Sequence, residues 1–411
     1  MKILIVTQNY LPFIGGIEAH ARQVAHELNR EHCVEVVAAN FTAYQGAPHL
    51  RVLHTSLLAP TYADYQDGPI PVRALTPGAV DRLRMLPIAA RCLPVLRGRA
   101  YHSLLRFGYR RYRAVYVPRL RRLMRDANVV HTLAGGYLGW AAQEAARLEG
   151  VPFVCTPFVH PKQWGDGLDD VAYYRRSDAV IGLVTTDRDY LVSLGVPAEK
   201  THVIGVSPEL PSDVDGAGFR QRHGFAEAPI VLYVGRMMPQ KGAAGLLAAA
   251  PRVWEQWPET RFVFIGPGSP ESDAWFKQTD PRVRYLGKVS LQEKADALDA
   301  CDIFCMPSLS EILPTVYLEA WSLGKPVVGG MAHGLPELVE GNGAGIAVDQ
   351  NPDRIASALT RLLGDPEQRA CYGAIGRAMV EDRYSVPAVT EALLSLYRHL
   401  QSTTQRSGAK S

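Results

Sequence analysis

The chain has 411 residues and a net charge of +3, a length that favours two or more domains. Its 47% apolar and 21% charged residues are ordinary for a globular protein and exclude a disordered or fibrous chain. No apolar run approaches the roughly 20 residues of a membrane span. Lys2 leads directly into the strand-like Ile3–Val6, without the pattern of a signal peptide, so a cytoplasmic location is expected. The six cysteines are scattered without metal-ligand spacing; reduced, buried thiols and no metal site are expected.

Lys2 to Thr7 reads as a buried strand, followed by a turn at Gly15-Gly16 and a helix from about Ile17 to Asn29. Paired glycines let another molecule's backbone or phosphate come close where a Cβ would block it. Val34 to Ala38, Asn128 to His131, Pro152 to Cys155 and Ala179 to Leu183 are further short apolar runs between helical stretches. Such alternation is the mark of a parallel sheet with helices on both faces. His131 and His160 both fall at strand ends; His160 is the candidate for a ligand contact, His131 for a structural role. Residues 205 to 218, with Ser207-Pro208-Glu209-Leu210-Pro211, read as a linker.

A second series follows, with strands at Ile230–Val234, Arg261–Ile265, Arg282–Leu286, Asp302–Met306, Pro326–Val328 and Gly345–Val348. The expected fold class is α/β: two doubly wound Rossmann-like domains, 1–206 and 207–385, facing each other across a cleft. A C-terminal amphipathic helix is expected over 386–400 and a disordered tail over 401–411.

The most informative segment is Ser310-Glu311-Ile312-Leu313-Pro314-Thr315-Val316-Tyr317-Leu318-Glu319, two carboxylates eight positions apart across a strand-to-helix turn. Pro314 suits the first helical position, and Gly324 with Pro326 marks the stop. The Thr315 and Val316 amides then sit free at the helix N-terminus, where the dipole favours phosphate. Helical side chains lean toward the N-terminus, so Glu319 reaches the same space that Glu311 reaches from the turn. A diphosphate flanked by two hydroxyl-accepting carboxylates describes a nucleotide sugar. Gly235-Arg236 and Lys241-Gly242 follow the first strand of the second series and add two cations that would offset a leaving diphosphate. The absence of a Gly-x-Gly-x-x-Gly fingerprint argues against a dinucleotide enzyme, and no hydrolase elbow or zinc-protease motif occurs.

With these pieces assembled, the chain resembles the family 4 retaining glycosyltransferases of the GT-B fold. The matching pieces are Pro12 to His20, Gly235-Arg236 with Lys241-Gly242, Gly266-Pro267-Gly268, Leu286 to Val289, and the Glu-x7-Glu segment followed by Gly324-Lys325-Pro326. The resemblance implies that Arg236 and Lys241 hold the donor diphosphate, with the Gly15-Gly16 turn facing it. It implies that Glu311 binds the donor sugar, Glu319 the ribose, the backbone near Val289 the base, and that His160 contacts the donor sugar. It further implies transfer of a hexose from a UDP- or GDP-sugar to an acceptor hydroxyl in envelope polysaccharide or glycolipid synthesis, without a prosthetic group. Two departures stand out: Leu313-Pro314 replaces the usual Phe-Gly and removes one amide, and Gly205-Val206-Ser207 replaces the usual Asn-Gly. A sugar-nucleotide epimerase, a phosphorylase, or a degenerate transferase acting as a binding partner are the alternatives.

Between Arg82 and Arg125 lie thirteen arginines and no acidic residue, leaving 31 basic against 41 acidic residues elsewhere. Tyr101 to Val117 reads as a helix ended by Pro118, with Arg99, Arg106, Arg110 and Arg113 opposite an apolar face. Three readings stay open: a solvated helix face, docking on an anionic membrane surface, or direct capture of an anionic acceptor. Nucleic acid is not expected, since no recognition motif accompanies the arginines.

Overall fold

The structure, a computed structural model, describes residues 1–12, 15–40, 53–58, 60–92, 101–133, 135–277 and 280–408. The chain divides into two compact units: Met1–Gly182 with Tyr190–Val203 and Thr390–Ser411, and Leu183–Asp189 with Ile204–Val389.

The first unit is built on an eight-stranded sheet. Its strands are β1 (Lys2–Asn9), β2 (Cys33–Asn40), β3 (Tyr65–Asp67), β4 (Ile70–Ala74), β5 (Val129–Leu133), β6 (Phe153–Cys155), β7 (Ala179–Gly182) and β8 (Thr201–Val203). The order is β3-β4-β2-β1-β5-β6-β7-β8, parallel except for the β3–β4 hairpin. That hairpin escaped the sequence reading because its strands are only three and five residues long and β3, Tyr65-Gln66-Asp67, is polar. It is held by Asp67, which accepts from Arg22 at 2.9 and 3.0 Å and from Tyr10 at 3.1 Å. The central β1 is buried through Ile3–Val6, which is why it reads as a continuous apolar run.

Two expectations are corrected here. The helix Tyr101–Met124 runs through Pro118 rather than ending there. Tyr116, Val117, Leu120 and Met124, on both sides of the proline, are buried in the core, and that burial outweighs the roughly 3 kcal/mol a helical proline costs. Of the tail expected to be disordered, Gln401 to Gly408 continue the last helix, Val386–Gly408, with Ser402 and Thr403 hydroxyls donating to the His399 carbonyl; residues 409–411 lie outside the described residues. Of the cysteines, Cys155, Cys301 and Cys305 are buried free thiols, but Cys33 and Cys371 are exposed.

The C-terminal helix is fastened to the first unit through Tyr397, whose hydroxyl lies 2.7 Å from His131 Nδ1, while His131 Nε2 lies 2.8 Å from Thr156 Oγ1. Burial lowers the His131 pKa to about 3, nearby His20 adding to the effect, and burial lowers His20 to about 4. Both rings are neutral in the fold at pH 7, whereas the unfolded chain takes up protons near 6.5. The stability they contribute is complete above that value and is lost as pH falls toward 4. Protonation of the unfolded chain at His20 alone should remove about 3 kcal/mol over that interval. Urea titrations from pH 7 to 4.5 should show the loss, and His20→Leu should flatten the slope; an unchanged slope would refute this origin.

The second unit is a six-stranded parallel sheet. Its strands are β9 (Ile230–Val234), β10 (Arg261–Ile265), β11 (Val283–Gly287), β12 (Ile303–Met306), β13 (Val327–Gly329) and β14 (Gly345–Ala347). Their order, β11-β10-β9-β12-β13-β14, reverses between β9 and β12. At such a switch point the loops at the carboxyl ends of two neighbouring strands diverge and leave a crevice for a ligand.

Candidate active site

The loops after β9 and β12 carry Arg236 and Lys241, and Glu311 and Thr315, respectively. Backbone bonds zip the two loops together: Leu309 N donates to Gln240 O at 2.8 Å. Gly242 has φ of +86°, and a Cβ there would lie 2.6 Å from the Pro307 carbonyl, so the close approach demands glycine. The contact aims the half-buried Lys241 across the crevice. Its ammonium donates to the Ser310 carbonyl at 2.6 Å and forms an ion pair with Glu311. Arg236 is exposed on the same loop and makes no ion pair among the described residues.

The helix Thr315–Ser322 starts one residue later than the sequence suggested, with Pro314 as N-cap at φ −70° and ψ 115°. Proline has no side-chain acceptor, so Thr315 and Val316 keep amides without intrahelical partners. Buried Tyr317 fixes this end of the helix: its hydroxyl donates to Met306 O at 2.6 Å and accepts from Gly330 N at 3.0 Å. Glu319 is 2% exposed. It forms an ion pair at 2.7 Å with Lys294, from the helix Leu291–Ala300. Burial raises the Glu319 pKa, and the Lys294 charge is the main opposing influence. Val289 is half-buried, just ahead of Ser290, which caps the Lys294 helix by accepting from Glu293 N.

In the first unit, Gly15 is the N-cap of the helix Gly16–Leu28. Its amide is taken by Glu18, which accepts from it at 2.9 Å, while Gly16 opens the first turn with free space where a Cβ would be. His160 is half-buried and bridges to Trp164 through paired backbone bonds of 3.1 Å, the two rings 4.8 Å apart. Arg236, Lys241, Val289, Glu311, Thr315, Val316 and Glu319 thus belong to the second unit, and Gly15, Gly16 and His160 to the first. Lys294 was missed by sequence reasoning; its spacing from Glu319 carries no motif, and only the packing of two helices brings them together.

Chemically, the second unit carries after β9 and β12 two cations, a helix terminus with amides lacking intrahelical partners, and two carboxylates that are each paired with a lysine. Two doubly wound units, one of them carrying such groups at its switch point, define a nucleotide-sugar glycosyltransferase of the GT-B type. Comparison with known proteins agrees. A family model described as "Glycosyl transferase 4-like domain" matches residues 15–207, and one described as "Glycosyl transferases group 1" matches 228–365. The chain is 25% identical to the GDP-mannose-dependent alpha-(1-6)-phosphatidylinositol monomannoside mannosyltransferase of Mycobacterium tuberculosis, over 97% of this chain and 98% of that protein. It is 33% identical to the Corynebacterium glutamicum GDP-mannose-dependent monoacylated alpha-(1-6)-phosphatidylinositol monomannoside mannosyltransferase, over 46% of this chain and about half (52%) of that protein. Among solved structures, Anabaena HepE in complex with UDP-glucose is similar at a TM-score of 0.71 and 18% identity, covering 97% of this chain and all (100%) of that one. Sucrose-phosphate synthase from Thermosynechococcus elongatus is similar at 0.70 and 19% identity, covering 98% of this chain and 99% of that one. The chain belongs to the family 4 glycosyltransferases and has the GT-B fold.

Proposed function

We propose that this glycosyltransferase moves mannose from GDP-mannose to a hydroxyl of a lipid-linked acceptor, with retention of configuration and without a metal ion. The observation that carries the reading is the Lys241–Glu311 pair at the β9/β12 switch point, on the loop that also carries Arg236, which makes no ion pair among the described residues. Full-length similarity to a GDP-mannose-dependent enzyme supports the donor, and disfavours the epimerase, phosphorylase and non-catalytic alternatives.

As the bond from the anomeric carbon to the diphosphate breaks, negative charge grows on the leaving phosphate. Arg236, Lys241 and the Thr315 and Val316 amides meet that charge and stabilise the transition state more than the ground state. Glu311, held by Lys241, accepts from donor-sugar hydroxyls, and Glu319, held by Lys294, accepts from the ribose. Val289 borders the base. The acceptor hydroxyl attacks on the face the diphosphate leaves, and a phosphate oxygen takes its proton.

Thermal stabilisation by GDP and UDP, with and without EDTA, tests this in the wild type and Glu319→Ala. GDP at 100 times its dissociation constant should add about 2.7 kcal/mol, unaffected by EDTA and lost in the variant. Stabilisation by UDP alone would overturn the mannose donor, and loss of the GDP effect in EDTA would overturn metal independence.

The lipid-linked acceptor implies work at a membrane surface, although no helix among the described residues is long and apolar enough to cross one. The arginine helix supplies a docking face, but not the one expected. Arg106 is paired with Asp169, Arg113 with Glu144, Arg119 with Asp81 and Arg121 with Glu149; Arg99 lies outside the described residues. Exposed Arg110, Arg111, Arg122 and Arg125 make no ion pair among the described residues. Each would add about 1 kcal/mol on an anionic surface. Changing Arg110, Arg111 and Arg122 to Gln should therefore abolish flotation with anionic liposomes at low salt; unchanged flotation would remove membrane docking through this helix.

A further inference from the structure

Three helices of the first unit, Tyr101–Met124, Gly136–Glu149 and Leu168–Arg176, enclose a cavity of about 620 Å³. None of the candidate donor-binding residues lines it, from either unit. Each helix turns one face into it: Arg106 and Arg113, Trp140 and Arg147, and Asp169 and Arg176 are pairs seven positions apart, two turns of one helix face. Four arginines therefore meet only two carboxylates, Asp169 and Glu144, which leaves the lining with a charge of +2.

The two carboxylates are already engaged. Asp169 accepts from Arg106 at 3.3 Å, and Glu144 accepts from Arg113 Nε at 2.6 Å and from the Tyr109 hydroxyl at 3.2 Å. Arg147 and Arg176 are exposed and make neither hydrogen bond nor ion pair among the described residues. Their charges still act on the cavity. Against the effect of burial, Arg113, Tyr109 and the Arg147 charge hold the Glu144 carboxyl below its usual range. Burial and Glu144 raise the Tyr109 pKa, and the Arg113 and Arg176 charges oppose the rise. Both free arginines stand in the last turn of their helices, where the dipole favours a cation. That placement accounts for the sign of the charge but leaves the guanidinium N–H donors unused.

A phosphomonoester carries about two negative charges near neutral pH, which matches the excess. Guanidinium forks bind phosphate oxygens in pairs, with a fit that a lysine cannot give. The volume lies within the range of about 300–1,000 Å³ usual for small organic ligands, so there is room for more than a bare ion. Tyr109 and Trp140, their rings edge-on at 5.4 Å, offer apolar surface for the rest of such a molecule. We propose that this cavity binds a phosphomonoester, its phosphate on Arg147 and Arg176 and its organic part against Trp140 and Tyr109. The site is separate from Arg236 and Lys241 and does not depend on the glycosyltransferase reading.

Calorimetric titration of the full chain tests it, with phenyl phosphate and phenyl sulfate as probes near neutral pH. Phenyl phosphate should bind saturably, and the singly charged phenyl sulfate about tenfold or more weaker. Arg147→Gln and Arg176→Gln should each weaken phenyl phosphate by about tenfold or more, the loss of one charge-assisted hydrogen bond. Both side chains are exposed, so the variants should fold. Arg175→Gln, an exposed neighbour outside the cavity, should leave the affinity unchanged, and so should Lys241→Ala. Phosphatidylcholine vesicles carrying phosphatidic acid separate the two sources of such an ester. Displacement of phenyl phosphate by them places the ester on a lipid headgroup, and undiminished binding places it on a soluble molecule. Absence of saturable binding, equal affinity for phenyl sulfate, unchanged affinity in both arginine variants, or a loss confined to Lys241→Ala would overturn the proposal.

Discussion

Lys241→Ala should lower kcat/KM by about 30- to 1000-fold, on the order of 2–4 kcal/mol of transition-state stabilisation. The ammonium is half-buried and held by the Ser310 carbonyl and Glu311, so it is fixed in place before any donor arrives. A fixed charge needs no reorganisation when negative charge grows on the leaving diphosphate, and that is where its advantage over water lies. The loss should therefore fall mainly on kcat. Glu311 would at the same time lose its positioning partner, so Lys241→Ala and Glu311→Gln should be strongly non-additive when combined. Steady-state kinetics of the two single variants and the double variant decide the matter. A Lys241→Ala loss under about threefold, far short of one oxyanion donor, would remove Lys241 from the mechanism.

Lys294→Met should destabilise the protein by about 3–5 kcal/mol near neutral pH, the usual cost of leaving one partner of a buried ion pair alone. The Glu319 carboxylate is only 3% exposed, so water cannot replace the lost ammonium. Burial already raises its pKa, and Lys294 is the main influence holding it down. Without Lys294 the pKa rises further, and the folded state takes up a proton that the unfolded chain does not hold near neutral pH. Lowering the pH through that raised value then favours the folded state, so the deficit relative to wild type should shrink between pH 8 and 5. Lys294→Met with Glu319→Gln should recover most of the stability at pH 8. Guanidinium denaturation of the three proteins at both pH values is the measurement; a pH-independent deficit would show that Lys294 acts through packing alone. GDP binding should weaken in Lys294→Met, because ribose hydroxyls lose an ionised acceptor.

Much of the second unit was readable along the chain because a strand buried on both faces must be continuously apolar. Ile230–Val234 and Arg261–Ile265 fall where the apolar runs fall. The first unit was harder. Tyr65–Asp67 and Ile70–Ala74 pair as an antiparallel edge, where one face needs no apolar side chains, and the hairpin is pinned by the distant Arg22. The arginine run misled for a related reason. Helical periodicity places Arg106 and Arg113 on a polar face, but cannot reveal that Asp169 and Glu144 stand opposite them.

The sequence by itself determined the alternation of strands and helices and the Glu311–Glu319 spacing. It also determined the cations after β9, because these depend on period, turn chemistry and contacts local to one loop. Tertiary structure alone decided which charges are free to act. Lys241 meets Glu311, Lys294 meets Glu319, Arg236 and Arg110 make no ion pair among the described residues, and Pro118 is carried inside a helix. Those outcomes turn on burial and on Coulomb energies between residues far apart in the chain, and both become defined only once the packed elements fix distance and exclude water.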